Sequence, residues 1–173
     1  MDDHPPDDLY FLRFAYEIGA LKSKDPSTQT GAILVNPQNI ILAFGYNHLP
    51  WEMNDNQEIW NDREQKYQSV IHAEVDVISV AESYLEKSPR FSPAGTTMYV
   101  PWTPCESCAE AIIKAGISGL VRHQELVDKI PARWKESTDK ALDKLVKAGV
   151  NCRTIGGRIG GLEIRFDGEL WKP

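Results

Sequence analysis

The sequence predicts an α/β protein: a three-layer α/β/α sandwich built around a central mixed sheet of five strands. Three observations carry this reading. Apolar runs at residues 31–35, 40–46, 96–100, 117–122 and 150–155 have the length of strands. Segments with the three-and-four apolar spacing of a helix alternate with most of them. The connections are short, which favours helices on both faces of one sheet. With 173 residues, 42% of them hydrophobic and 25% charged, the chain can bury one core, and residues 1–173 read as a single domain without repeats or a linker.

The elements follow in order. Asp8 is placed to cap a first helix in which Phe11, Phe14, Ala15, Ile18 and Leu21 share one face. Residues 31–35 and 40–46 form a hairpin, because Asn36-Pro37-Gln38-Asn39 between them favours the turn backbone. The unbroken apolarity of 40–44 predicts a strand covered on both faces. Residues 50–68 are polar, rich in Trp and Asn and without period, which predicts a loop. A broad apolar helix face runs over 69–86, with His72 and Glu74 in its first turn. A strand at 96–100 leads through Pro101-Trp102-Thr103-Pro104 into a helix over 105–115, so Cys105 and Cys108 lie at a strand-to-helix junction. After the strand 117–122, Trp134, Thr138, Ala141, Leu142 and Leu145 mark a last helix stopped by Gly149, before the strand 150–155. The glycines of 156–161 lack phosphate-loop spacing and read as a turn into residues 162–166.

Charge and cysteine usage narrow the function. A net charge of −6 and a pI near 5.2 argue against tight binding of a polynucleotide, which Lys and Arg drive by releasing counterions. No apolar run approaches a membrane span, and the acidic residues 1–8 do not resemble a signal peptide, so no membrane partner is expected. Three cysteines make a poor disulfide framework and fit a reducing cytoplasm. Cys152, on a strand, reads as a buried apolar residue.

The chemistry concentrates in His72-Ala73-Glu74 and Pro104-Cys105-Glu106-Ser107-Cys108. A Cys-x-x-Cys pair at a helix start can aim two sulfurs at one point, and the free amide N–H groups there favour thiolates. With the imidazole of His72 they make a three-ligand zinc set whose fourth position stays open for water. Glu74 is placed to move that water's protons. Either motif alone would suit other readings, a redox pair for the cysteines or a core residue for the histidine. Together they match the H-x-E…P-C-x-x-C signature of zinc-dependent nucleobase deaminases.

On these residues the sequence resembles the cytidine and deoxycytidylate deaminase family from about residue 21 to 150. Similar stretches are Ser23-Lys24-Asp25-Pro26-Ser27, Gly45-Tyr46-Asn47, residues 96–100 and residues 111–117. The first two favour the nucleotide branch of the family. The resemblance implies the cytidine deaminase-like fold, one catalytic Zn²⁺ held by His72, Cys105 and Cys108, and Glu74 as proton carrier in hydrolysis of dCMP to dUMP and ammonia. It also implies substrate contacts from Asn47 to the sugar, the Ala73 amide to the base carbonyl and Thr30 to the base. Ser23 and Lys24 are the candidates for the phosphate. Effectors of the family, dCTP and dTTP, the former with Mg²⁺, would meet Gly45, Tyr46 and His48, where His48 stands in place of the usual glycine. Asp76 replaces a usual Asn, and Trp51 follows Pro50 where a small or polar residue is common. No second, structural zinc is expected, since Cys152 is the only spare cysteine. A homo-oligomer, often a hexamer in the family, is implied. Alternative readings are a deaminase of another cytosine nucleotide or nucleoside, or of a base in nucleic acid such as a tRNA adenosine deaminase, against which the acidic charge speaks. A zinc-stabilised module without activity is disfavoured by the presence of Glu74.

Overall fold

The computed structural model describes residues 6–53 and 56–173. The first helix, α1 (Pro6–Lys22), is followed by β1 (Gly31–Val35) and β2 (Ile41–Tyr46). A 3₁₀ turn (Trp51–Met53) and two short helices, α2 (Gln57–Asn61) and α3 (Arg63–Ser69), lead to α4 (Ala73–Leu85). Then come β3 (Thr97–Tyr99), α5 (Glu106–Lys114), β4 (Gly119–His123), α6 (Gln124–Val127), α7 (Ala132–Lys147) and β5 (Asn151–Ile155). A hairpin of β6 (Ile164–Phe166) and β7 (Glu169–Trp171) closes the chain.

The five-stranded sheet has the order β2-β1-β3-β4-β5. β1 is antiparallel to both β2 and β3, whereas β3, β4 and β5 run parallel, so the sheet is mixed as predicted. Alternation along the strands sends successive side chains to opposite faces. Ala32, Leu34, Met98, Val100 and Leu120 meet Val77, Ile112 and Leu145 of α4, α5 and α7. Ile33, Val35, Tyr99, Val121 and Ile155 meet Phe11, Leu12 and Tyr16 of α1 together with Ile164 and Phe166 of the hairpin. Three layers result. Among the described residues no helix is long and apolar enough to cross a membrane.

Four sequence expectations are corrected. Asp8 lies inside α1 rather than capping it, and its carboxylate is buried as acceptor for the Tyr99 hydroxyl at 2.6 Å and for Arg153. The strand 40–46 is not covered on both faces, because β2 is the sheet edge and Phe44 remains 43% exposed. Residues 50–68 are not a loop: Asn56 and Asp62 accept from the amides that open α2 and α3. Helices of 5 and 7 residues are too short to show a period. The helix expected from residue 69 starts at Ala73, since His48 and Ile71 exchange backbone hydrogen bonds of 3.1 and 2.8 Å that hold the preceding chain extended. Residues 1–5, part of the acidic start, lie outside the described residues. The glycine-rich segment 156–161 is a turn, and Cys152 is half-buried against the core cluster of α4, α5 and α7.

His123 ties the last segment to the core. Its Nδ1 accepts from the Tyr16 hydroxyl at 2.7 Å, and its Nε2 faces the Gly157 carbonyl at 2.9 Å and Glu125 Oε2 at 2.9 Å, with the Trp171 ring beside it. Burial holds its pKa below the ordinary value, and Gly157 and Glu125 oppose the shift without cancelling it. The unfolded chain therefore binds this proton first as the pH falls. Stability from this site is complete above a pH of about 6.5 and declines below it toward the depressed folded value. Thermal unfolding by circular dichroism between pH 7.5 and 5 should show that decline, with a shallower slope for His123→Gln; equal slopes would refute the assignment.

Candidate active site

The site is built where α4 and α5 begin. α4 lies against β1 and β2, and the backbones come close at Gly45. A Cβ there would sit 2.4 Å from Val77 N and 2.8 Å from the Ala73 carbonyl oxygen, so only glycine lets the helix settle this near. α5 follows β3 through Pro101-Trp102-Thr103-Pro104. His72 and Cys105 are the residues that cap the two helices, neither with a side-chain capping bond, so their donor atoms are free for other use.

Those atoms converge. His72 Nδ1 is 3.3 Å from Cys108 Sγ and 3.5 Å from Cys105 Sγ, and the three donor atoms all lie within 4.8 Å of one another. One imidazole and two thiol sulfurs at this spacing, half-buried or buried, fit a zinc ion with a position left over. The Cys105 thiol is driven down to about 3, first by the hydrogen bond from Cys108, then by His72. Cys108 is pushed the other way, by its hydrogen bond with Cys105 and by burial. His72 is raised to about 9, chiefly by its hydrogen bond with Cys105.

Glu74 stands two residues into this arrangement. It is 4% exposed, and burial raises its carboxyl above the usual carboxylate range, with His72 acting against that shift. It lines an open cleft together with His72, Cys105, Thr30, Asn47 and Ala73. Tyr67, Trp102 and Trp134 form an aromatic wall, with the Tyr67 and Trp134 rings 5.2 Å apart and edge to face. The Ala73 amide, at the first position of α4, has no earlier carbonyl within the helix to bond.

Of the five substrate candidates, Thr30, Asn47 and Ala73 line the cleft and two do not. Ser23 and Lys24 do not line it. Ser23 is buried, its hydroxyl accepting from the Asp25 amide, while Lys24 lines a separate pocket with Tyr46, His48 and Trp51. The cations that do reach the cleft are Lys66 and Arg133. Sequence reasoning missed both, because α3 and α7 carry them from parts of the chain without a motif.

Asn47 is more constrained than its motif suggests. Its Oδ1 accepts from the Thr30 amide at 2.8 Å, and its Nδ2 donates to Asp25 Oδ2 at 3.2 Å and the Thr28 carbonyl at 2.8 Å. Only a remaining Oδ1 lone pair is left for a ligand hydroxyl. Asp25 also accepts from the Ser27 and Thr28 amides and holds Lys66 Nζ at 2.7 and 2.8 Å. Both charges of the pair are buried, so the cleft wall hangs on one ion pair. Removing its cation alone, in Lys66→Met, should cost about 3–5 kcal/mol by leaving a buried carboxylate unbalanced. Urea unfolding should show Asp25→Asn/Lys66→Met recovering much of that loss. A single variant as stable as the parent would refute the coupling.

Residues 5–124 match the model of the cytidine and deoxycytidylate deaminase zinc-binding region. The deoxycytidylate deaminase of Mus musculus is 34% identical over 99% of this chain and 92% of its own length. That of Homo sapiens is 32% identical over the same shares. Among solved structures, the apo dCMP deaminase of cyanophage S-TIM5 shares the fold with a TM-score of 0.62 at 21% identity, over 88% of this chain and 99% of that one. With the zinc donors, the buried glutamate and this match in place, the chain belongs to the cytidine and deoxycytidylate deaminase family.

Proposed function

We propose that this chain hydrolyses dCMP to dUMP and ammonia with the aid of zinc held by His72, Cys105 and Cys108. The observation that carries the reading is the buried Glu74 carboxyl opening on the same cleft as the three donor atoms. Near-full-length similarity to deoxycytidylate deaminases of two mammals supports the substrate. When bound, zinc supplies the Lewis acidity that lowers the pKa of water to about 7. Glu74 Oε takes one proton from the attacking water and delivers it to N3 as the oxygen bonds to C4. The same carboxylate then carries the second proton to the amino nitrogen, the C4–N bond breaks, and ammonia leaves.

The remaining groups position the nucleotide. The Ala73 N–H donates to the base carbonyl, Thr30 packs on the base, and Asn47 Oδ1 accepts from a sugar hydroxyl. Tyr67, Trp102 and Trp134 exclude water from the base. Lys66 is committed to the buried Asp25, so Arg133, whose pair with Asp167 is exposed to solvent, is the cleft cation suited to the 5′-phosphate, in place of Ser23 and Lys24. Trp51, 75% exposed, supports assembly with further copies of the chain.

A panel of cytosine nucleotides and nucleosides tests the reading. Turnover of dCMP should exceed that of deoxycytidine by orders of magnitude, since the nucleoside forgoes the attraction of a phosphate to Arg133. Glu74→Gln should retain about one zinc per chain by elemental analysis and lose nearly all turnover. Equal use of both compounds, or a Gln variant keeping more than about a tenth of the rate, would overturn the assignment.

The effector turn supports a second point. His48 is buried, its Nδ1 donates to the Leu49 carbonyl, and its Nε2 lies 3.3 Å from Asp76 Oδ1. Its ring sits 5.2 Å from both Tyr46 and Trp51. Asp76 also accepts from the Tyr46 amide at 3.0 Å. A turn held this way hinders close approach of an effector, so control by dCTP should be weak. Rate against dCMP concentration with and without dCTP and Mg²⁺ checks this, and activation gained by His48→Gly would place the block here; a sigmoidal curve made hyperbolic by dCTP in the unaltered chain would refute it.

A further inference from the structure

Beneath the cleft lies a buried cation that no acid among the described residues balances. Arg122, on β4, is 4% exposed, and alternation from Leu120 directs it to the face covered by α5 and α7. Its Nη1 donates to Thr103 Oγ1 at 2.9 Å, and its Nε is buried without an acceptor. Among the described residues no carboxylate pairs with it. The titratable group facing it is Cys152, whose thiol burial pushes up, so it supplies no balancing charge.

The direction of the one hydrogen bond has a consequence for Thr103. A guanidinium can only donate, so Oγ1 must accept. The hydroxyl has a single proton, and among the described residues no group takes it. Thr103, itself 4% exposed, lines the cleft beside Glu74 and Cys105. Its proton is therefore left for whatever occupies the cleft. We propose that Arg122 is a positioning residue, holding Thr103 so that its hydroxyl proton is offered to an oxygen acceptor of the bound nucleotide. This rests on the reading of the cleft as a nucleotide site. The guanidinium, lacking a counter-ion, also makes the hydroxyl a stronger donor and favours an acceptor that bears negative charge.

Steady-state kinetics with dCMP on Thr103→Val, Thr103→Ser, Arg122→Met and the Val/Met double variant test the proposal, with zinc content and thermal midpoint measured in parallel. Thr103→Val keeps the shape of the side chain and removes the donor, so kcat/KM should fall about 10–100-fold at unchanged zinc content. Thr103→Ser, which keeps the hydroxyl, should stay within about threefold of the parent. Arg122→Met should show a similar loss, and the double variant should be no worse than the poorer single, because both remove the same donor. A purely structural role would move the thermal midpoint and leave kcat/KM in place. Thr103→Val at parental efficiency, or losses that add, would overturn the proposal, and the Val/Ser pair decides it even if Arg122→Met fails to fold. Turnover of dCMP by the unaltered chain in the same assay keeps the reading of the cleft standing whichever way the variants fall, so the two fail separately.

Discussion

The close packing of α4 on β2 at Gly45 is the constraint on which the site depends. Helix and strand touch there through backbone alone, with Val77 N and the Ala73 carbonyl where a Cβ would stand. This contact sets the depth of the α4 start, and with it the positions of His72, Ala73 and Glu74 relative to α5. The strand order completes the placement, since β1 alone separates β2 from β3 and α4 packs beside α5. Donor atoms within 4.8 Å then come from residues 36 apart in sequence, on elements whose geometry the hydrophobic core below them maintains.

Around that frame the molecule spends buried charge in three different ways. Asp25 and Lys66 neutralise each other and stitch the loop before β1 to α3, so a wall of the cleft moves only if an ion pair breaks. Asp8 is balanced by Arg153 and the Tyr99 hydroxyl, tying α1 to β3 and β5 on the face away from the cleft. Arg122 has a hydroxyl and, among the described residues, no anion. Burying an unbalanced guanidinium is costly, and a core of this size has apolar residues that would fill the space better. Such a residue is best understood by what it directs, which here is the Thr103 hydroxyl.

The strands and longer helices were legible from pattern, because burial on one or both faces imposes a period over enough residues to read. The elements that sequence misjudged are those whose structure comes from few, specific bonds. α2 and α3 exist through the caps at Asn56 and Asp62 and through burial of Trp60 and Lys66. The late start of α4 follows from a bridge between His48 and Ile71, residues 23 positions apart that no local window contains. The exposed face of β2 follows from its place at the sheet edge, and continuous apolarity cannot distinguish an edge strand from a covered one.

By itself the sequence determined the chemistry: which side chains can bind zinc, which can carry a proton, and that both sit at helix starts, because ligand type and local spacing are properties of residues close in the chain. Only the tertiary structure decided how a ligand is held. It placed Lys24 in a separate pocket and brought Lys66 and Arg133 to the cleft, committed most of Asn47's hydrogen bonds to the Asp25 loop, and set Arg122 beneath Thr103. Those outcomes depend on strand order and on which buried groups find partners across tens of residues, and long-range pairing of that kind leaves no periodic trace in the sequence.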